Sequence, residues 1–305
     1  MKLTAVHILN LTGVLTESRR IIKANYTHFV TLSLLFLPLS FPLITCPIPQ
    51  LSNHLSTTDK KTIIYQIIYI LIAYTFTLCA IATITYTTHH GFLGKPVSFF
   101  ASLKSLTFTF FPILSTAVVA STVIFLNLLS FLMLVGSVLM LVQNIGLVID
   151  YNSVYIMLFI GVTLIMIMIY FHVNWSLALV VVVVESKWGF GALMRSSYLM
   201  QGMRSASLLL LLYFGTFSAL FMWVLRGSLH ELSIRAFVFF TILGSSFMIW
   251  FLLHSTAANT VLYNYCKALH GESAIEIADQ GSDHEYANLS PGDEKVSHAV
   301  TVVTT

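Results

Sequence analysis

Five polar side chains lie inside long stretches that carry no charged residue: Asn127, His172, Asn174, His254 and Asn259. Polar groups within a membrane usually face the interior of a helix bundle or a wet cavity, so they are candidate functional residues. We expect His172 to make a buried polar contact, with His254 the next candidate. None of the five is an acid, a lysine or an arginine. The membrane segments therefore lack the charged side chains from which proton relays are usually built. The plainer interpretation is hydrogen bonding between helices, worth about 0.6 kcal/mol per bond.

Recognised catalytic patterns are missing from the sequence. It contains no G-x-S-x-G, H-E-x-x-H, P-loop or G-x-G-x-x-G pattern. His89 and His90 are adjacent, so they cannot share one helix face as a metal pair. Cys46, Cys79 and Cys266 lie far apart without C-x-x-C spacing, which implies neither a disulfide framework nor a zinc site. We therefore expect a protein that is not an enzyme and that has no cofactor and no metal.

The five polar residues lie within a set of six stretches that contain no Asp, Glu, Lys or Arg. The stretches cover residues 24–58, 62–94, 105–149, 151–184, 205–225 and 236–266, and the shortest has 21 residues. A helix needs only about 20 apolar residues to cross the hydrocarbon core of a bilayer. Charged residues make up 9% of the chain, against about 25% in soluble domains. The sequence therefore predicts a polytopic α-helical membrane protein.

The predicted fold is an all-α bundle of about six transmembrane helices with cytosolic amphipathic surface helices. Surface helices are expected in the first 25 residues and over 97–106. A turn-rich break is expected between them, formed by His89, His90, Gly91, Gly94 and Pro96. Residues 105–149 are long enough for two spans, but we favour one long span followed by a loop. The predicted spans cover about 29–44, 63–85, 110–137, 154–184, 207–225 and 236–263.

The chain divides into a membrane domain, residues 1–271, and a tail, residues 272–305. The tail holds seven acids and one base, which is typical of a disordered segment. With the amino terminus in the cytosol, eleven Lys and Arg residues fall on the cytosolic side and four on the other. By the positive-inside rule, we therefore expect both termini to lie in the cytosol. We expect the protein to reside in an endomembrane or in the plasma membrane. A glycan at Asn288 would contradict this topology.

A short pattern recurs at two places that precede apolar spans. Gly13-Val14-Leu15 with Ser18 is repeated as Gly191-Ala192-Leu193 with Ser196, and the segment near residue 97 occupies an equivalent place. The unit starts near 13, 97 and 191 are spaced by 84 and 94 residues. The sequence thus allows three repeats of a surface helix plus two spans. Any protein with an even number of spans and basic cytosolic loops looks partly repetitive, however.

The second copy of this pattern belongs to a longer motif, E-x3-G-x2-A-L-x2-S-x2-L-x2-G. It resembles the signature of an uncharacterised plant family of six-span membrane proteins, some of which are labelled polyadenylate-binding protein-binding protein. It is also similar to the membrane domain fused to some bacterial glycerophosphodiester phosphodiesterases. The resemblance implies a membrane domain without catalytic activity. The motif residues are Glu185, Gly189, Ala192, Leu193, Ser196, Leu199 and Gly202.

The region around this motif is the most polar part of the membrane domain. We expect Glu185 to begin a surface helix, where its carboxylate suits the positive end of the helix dipole, and Gly202 to end that helix. Trp188 belongs at the lipid–water boundary, and Arg195 and Arg204 are candidate contacts for lipid head groups. All of these residues also admit a purely architectural role.

Two functions fit these observations. The first is a non-catalytic membrane scaffold or adaptor for lipids or protein partners, in which the acidic tail docks cytosolic proteins and no nucleic acid binds directly. The second is a small-molecule or ion transporter or channel lined by Asn127, His172, Asn174 and His254. A continuous polar cavity would favour transport, and a dry interior would favour the scaffold.

Overall fold

The computed structural model describes residues 11–32, 60–94, 98–145, 154–229 and 234–272. Within these ranges all regular structure is helical, which confirms the predicted all-α class. Residues 26–32 continue the first helix after a turn at Asn25. The numbered helices are α1 (Leu11–Ala24), α2 (Lys60–Phe92), α3 (Phe99–Asn144), α4 (Val154–Trp175), α5 (Ala178–Glu185), α6 (Phe190–Leu199), α7 (Arg204–Leu229) and α8 (Ile234–Leu269).

Four helical stretches in the described residues are long and apolar enough to cross a membrane. They are Ile70–Phe92, Phe99–Asn144, Val154–Glu185 and Arg204–Val224. Many large apolar side chains on α3 and α4 are exposed, as lipid-facing surfaces require. Most of the predicted span at 29–44 lies outside the described residues, and α8 is not among the four stretches. Six spans therefore stay a prediction.

Helix α3 corrects the predicted layout between residues 97 and 144. A separate surface helix, a span over 110–137 and a loop at Gln143 and Asn144 were expected, but one helix of 46 residues runs through all of them. At 1.5 Å per residue it is about 69 Å long, more than twice the thickness of the hydrocarbon core. Its only proline, Pro112, lies inside the helix, a position that transmembrane helices tolerate.

The predicted break begins later than expected, because α2 continues through His89, His90 and Gly91 and ends at Phe92. A turn follows in which Gly94 has φ +71°, and Pro96 lies outside the described residues. The Nδ1 atom of His90 lies 2.9 Å from the carbonyl oxygen of Tyr86, one turn earlier in the same helix. A Cβ atom on Gly91 would lie only 3.0 Å from the Cγ2 atom of Ile21. The glycine thus allows close approach of α1 rather than a turn.

The predicted span over 154–184 is interrupted between α4 and α5. Polar side chains at the break bond to the backbone of α4. The Nδ2 atom of Asn174 donates to the carbonyl of Tyr170 at 2.8 Å, and the Ser176 hydroxyl donates to the carbonyl of Val173 at 3.1 Å. Such side chains compete with the helical hydrogen-bond pattern. The break therefore has a local cause even though no glycine or proline marks it.

Serines from neighbouring helices complete the hydrogen bonding at this break. The Ser196 hydroxyl donates to the carbonyl of Asn174 at 2.8 Å, and the Ser207 hydroxyl donates to that of Val173 at 3.4 Å. The Ser176 and Ser207 hydroxyls lie 3.1 Å apart. Because hydrocarbon offers backbone carbonyls no water, these serines make an interrupted helix tolerable within the bundle.

The main hydrophobic core surrounds α5. Three consecutive residues of this helix, Val180, Val181 and Val182, are buried. A run buried on all sides indicates a central helix rather than a lipid-facing one. Seven helices contribute to the same core, with Val14, Leu78, Ile113, Val181, Leu199, Leu210 and Leu262 as one member from each.

Candidate functional site

Glu185 is the last residue of α5, and α6 begins only at Phe190. The prediction that Glu185 begins a surface helix is therefore wrong. A carboxylate at the carboxyl end of a helix faces the negative end of its dipole. Such a group needs other cationic or hydrogen-bonding partners to remain charged.

Three side chains supply those partners. The Nε atom of Arg195 lies 3.2 and 3.0 Å from the two carboxylate oxygens of Glu185. The Nζ atom of Lys187 lies 3.1 Å away, and the Tyr263 hydroxyl donates a hydrogen bond at 2.9 Å. The side chains of Glu185 and Arg195 are only 11% and 17% exposed. This charge cluster links α5, α6 and α8.

The cluster bears on the three residues predicted to contact lipid head groups. The guanidinium of Arg195 is engaged by Glu185, which leaves little of it to meet a lipid phosphate. Trp188 and Arg204 are exposed. Both are therefore accessible to lipid head groups, and their predicted role stays a prediction.

The remaining motif residues have backbone or packing roles. Gly189 has φ +63° and ψ −137°, a conformation that only glycine adopts without strain. Its N–H donates to Thr116 Oγ1 on α3 at 2.8 Å. Gly202 has φ +91° but follows the end of α6, so it shapes the turn into α7 rather than ending the helix. The buried members are Ala192, Leu193, Ser196 and Leu199.

A cavity of about 570 Å³ lies among α2 to α8, and Leu193 of the motif contributes to its lining. The volume falls within the range of about 300–1,000 Å³ that is usual for ligand sites. Most of its lining is apolar, and no Asp, Glu, Lys or Arg is present among the described residues that line it. The polar lining residues are Thr116, Ser121, His172, Ser176, Ser207, Ser218, Ser255, Thr256 and Asn259.

Of the five polar residues that the sequence places inside charge-free stretches, the structure brings His172 and Asn259 to this cavity. Of the four predicted to line a transport pathway, only His172 does so. Asn127 is exposed, and its Nδ2 atom donates to the Val123 carbonyl of its own helix at 2.8 Å. The Nδ1 atom of His254 lies 2.9 Å from the Trp250 carbonyl, also within its own helix. Both groups satisfy hydrogen bonds locally rather than across the bundle.

Asn174, the fourth predicted contact, is buried beside the α4–α5 break. Its Oδ1 atom has no hydrogen-bond partner in the described part of the chain. The hydroxyl residues of the cavity were missed because single serines look unremarkable in an apolar span. Helical spacing is the sequence feature that could have indicated them, since Ser255 and Asn259 lie four residues apart and therefore share one face of α8.

A second polar cluster, which sequence reasoning also missed, joins the stretch 26–32 to α2 and α3. The Nε2 atom of His28 lies 3.1 Å from Thr87 Oγ1 and 3.4 Å from Ser102 Oγ. The two hydroxyls are 3.1 Å apart. Burial lowers the pKa of His28, so the ring is neutral at physiological pH. A neutral ring fits this network of hydroxyls, since one ring nitrogen can donate and the other accept.

Together, the apolar helical stretches and the exposed apolar surfaces define an integral membrane protein of the helical class. The chain belongs to the family described as Domain of unknown function (DUF8558), which matches residues 45–284. No curated protein and no solved structure gives a match. The family description assigns no activity, so the function has to be inferred from the residues.

Proposed function

We propose that this protein is a non-catalytic membrane scaffold that organises lipids, and that its acidic tail, residues 272–305, docks cytosolic proteins. The observation that carries the proposal is a set of exposed basic side chains on segments that share one core. Arg19, Arg20 and Lys23 are exposed on α1, and Arg204 is exposed at the start of α7. Each base near an anionic membrane surface contributes about 1 kcal/mol of attraction.

The proposed topology has six spans with both termini in the cytosol, arranged as three repeats. The excess of Lys and Arg on one side supports the orientation. Three buried serines support the repeat: Ser18, Ser102 and Ser196 are 2%, 0% and 0% exposed. They are separated by 84 and 94 residues, as the repeat requires. The resemblance to the plant six-span family is part of the same proposal.

Lipid retention by surface-charge variants tests the lipid part of the proposal. We expect Arg19→Gln, Lys23→Gln and Arg204→Gln together to reduce the anionic lipid that copurifies with the full chain by about a hundredfold, since three bases that contribute about 1 kcal/mol each are lost. Phospholipids are extracted from the purified protein and quantified per mole of protein.

The control removes three positive charges from the opposite side of the proposed topology, through Lys60→Gln, Lys61→Gln and Arg226→Gln. It should retain nearly as much anionic lipid as the wild type, because the net charge change is the same but the surface differs. Equal retention by the first variant and the wild type would contradict the proposal.

A transporter or channel is the second candidate, and the cavity is the observation that favours it. His172 lines the cavity as that function requires, whereas Asn127, Asn174 and His254 do not. The lining also carries no charge among its described residues, which suits an apolar occupant better than a hydrated solute. These features support lipid binding more strongly than transport.

A further inference from the structure

Two polar side chains in the cavity lack hydrogen-bond partners. His172 on α4 and Asn259 on α8 both line it, and neither forms a hydrogen bond within the described part of the chain. The side chain of His172 is exposed and that of Asn259 is partly exposed in the structure, so a molecule that enters the cavity can reach both groups. Asn127 and His254, by contrast, satisfy their groups within their own helices.

Each of the two side chains lies one helical turn from a residue that makes a polar contact between helices. His172 is one turn from Ser176, whose hydroxyl lies 3.1 Å from that of Ser207 near the start of α7. Asn259 is one turn from Tyr263, whose hydroxyl bonds to Glu185. His172 is therefore about one helical turn from the α4–α5 break, and Asn259 is about one turn from a residue that bonds to the last residue of α5.

Further from these two groups the cavity is lined mainly by apolar side chains, with the hydroxyls of Ser218 and Ser255 among them. Phe214 lies about two turns beyond Ser207 on α7, and Phe251 lies about two turns beyond Asn259 on α8. Along α7 the lining extends from Ser207 to Ser218, a length of about 16 Å. This is close to half of the hydrocarbon thickness of about 30 Å. The cavity thus matches one leaflet in depth.

We propose that the cavity binds a neutral single-chain lipid of the monoacylglycerol class. Its hydroxyl-bearing head group bonds to His172 and Asn259, and its hydrocarbon chain lies against Phe214 and Phe251. The head group is uncharged because the described lining offers no charged side chain to pair with it. This inference rests on the proposed lipid-organising function and names the lipid class for its interior site.

Photo-cross-linking tests the inference on the full chain in phosphatidylcholine nanodiscs. The probe is a monoacylglycerol with a diazirine in its chain, and labelled peptides are identified by mass spectrometry. We expect labelling of cavity residues, and competition by monooleoylglycerol about tenfold stronger than by oleoyl lysophosphatidate, which has the same chain but a charged head group. Equal competition by both lipids, or labelling confined to peptides outside the cavity, would overturn the inference.

Two variants test the residues. His172→Leu with Asn259→Leu should reduce labelling about tenfold, because the head group loses both partners. Gly215→Leu should also reduce it by filling the cavity, since a Cβ there meets no atom within 4 Å. Asn127→Leu, which removes an exposed amide, should leave labelling unchanged.

Full labelling of the Gly215→Leu variant would refute the site even if the double variant fails to fold. The measurement of copurified anionic lipid tests the basic surface residues Arg19, Lys23 and Arg204, which do not line the cavity. Failure of the interior site is therefore distinguishable from failure of the proposed function.

Discussion

Replacing Glu185 by glutamine is expected to lower the free energy of unfolding by about 3 kcal/mol, because it leaves a largely buried arginine without its anionic partner. The side chain of Arg195 is 17% exposed, and its Nε atom contacts both carboxylate oxygens of Glu185. The measurement is unfolding of the detergent-solubilised protein by increasing dodecyl sulfate, followed by loss of helical circular dichroism. Adding Arg195→Met to the variant should restore part of the loss, since the charge that then remains without Glu185 is that of Lys187, whose side chain is 53% exposed.

The exposed ion pair of α1 provides the matched control. Arg20 is 76% exposed and lies 2.7 Å from Glu17, so Glu17→Gln should change stability by about 0–1 kcal/mol. Similar losses of stability in Glu17→Gln and Glu185→Gln would show that the buried charge cluster stabilises the protein no more than an exposed ion pair does. That result would contradict its role in joining α5, α6 and α8.

Replacing Gly189 by alanine should have the next largest effect, a loss of about 1–3 kcal/mol. A Cβ at this position meets no atom within 4 Å, so the expected cost comes from the backbone alone. Its φ of +63° and ψ of −137° are strained for any residue with a Cβ. The strain also threatens the hydrogen bond from its N–H to Thr116. The same dodecyl sulfate titration measures the loss.

Gly191 is the control for this prediction, two residues further along the chain. It lies inside α6, and a Cβ there also meets open space. Gly191→Ala should leave stability unchanged or raise it by up to about 1 kcal/mol, because alanine favours a helix over glycine. Equal behaviour of the two variants would mean that the conformation assigned to Gly189 is wrong.

The helical class could be predicted from the sequence because the bilayer imposes one strong constraint on any segment that crosses it. Charge-free stretches of 21 residues or more must satisfy their backbone groups internally, which favours helices. The predicted span over 207–225 therefore lies within α7, and that over 63–85 within α2. The same reasoning expected a buried polar contact at His172. That residue lines the cavity, but its side chain is exposed and forms no hydrogen bond within the described part of the chain.

Helix boundaries were less predictable because they depend on contacts between distant residues. The break after Trp175 is completed by hydroxyls from Ser196 and Ser207, which the local sequence around the break does not contain. Conversely, Gly91 reads as a turn residue locally, but its close neighbour is Ile21 of α1. In each case a tertiary contact outweighed the local signal.

The candidate site could not be assembled from the sequence for the same reason. The position of Glu185 was misread because five apolar residues before it continue a helix to its carboxyl end, and its partner Tyr263 is 78 residues away. The cavity combines single residues from several helices, among them His172 and Asn259. Spacing along one helix reveals which residues share a face, but it does not reveal which faces meet.

Solute flux through proteoliposomes tests most directly whether the cavity holds a lipid instead of conducting a solute. The full chain is reconstituted, and uptake of a broad panel of ions and small polar solutes is compared with uptake by empty liposomes. We expect no flux above the empty liposomes, since the described cavity lining is uncharged and largely apolar. Flux that His172→Ala abolishes and Asn127→Ala preserves would contradict the lipid-binding function and establish transport.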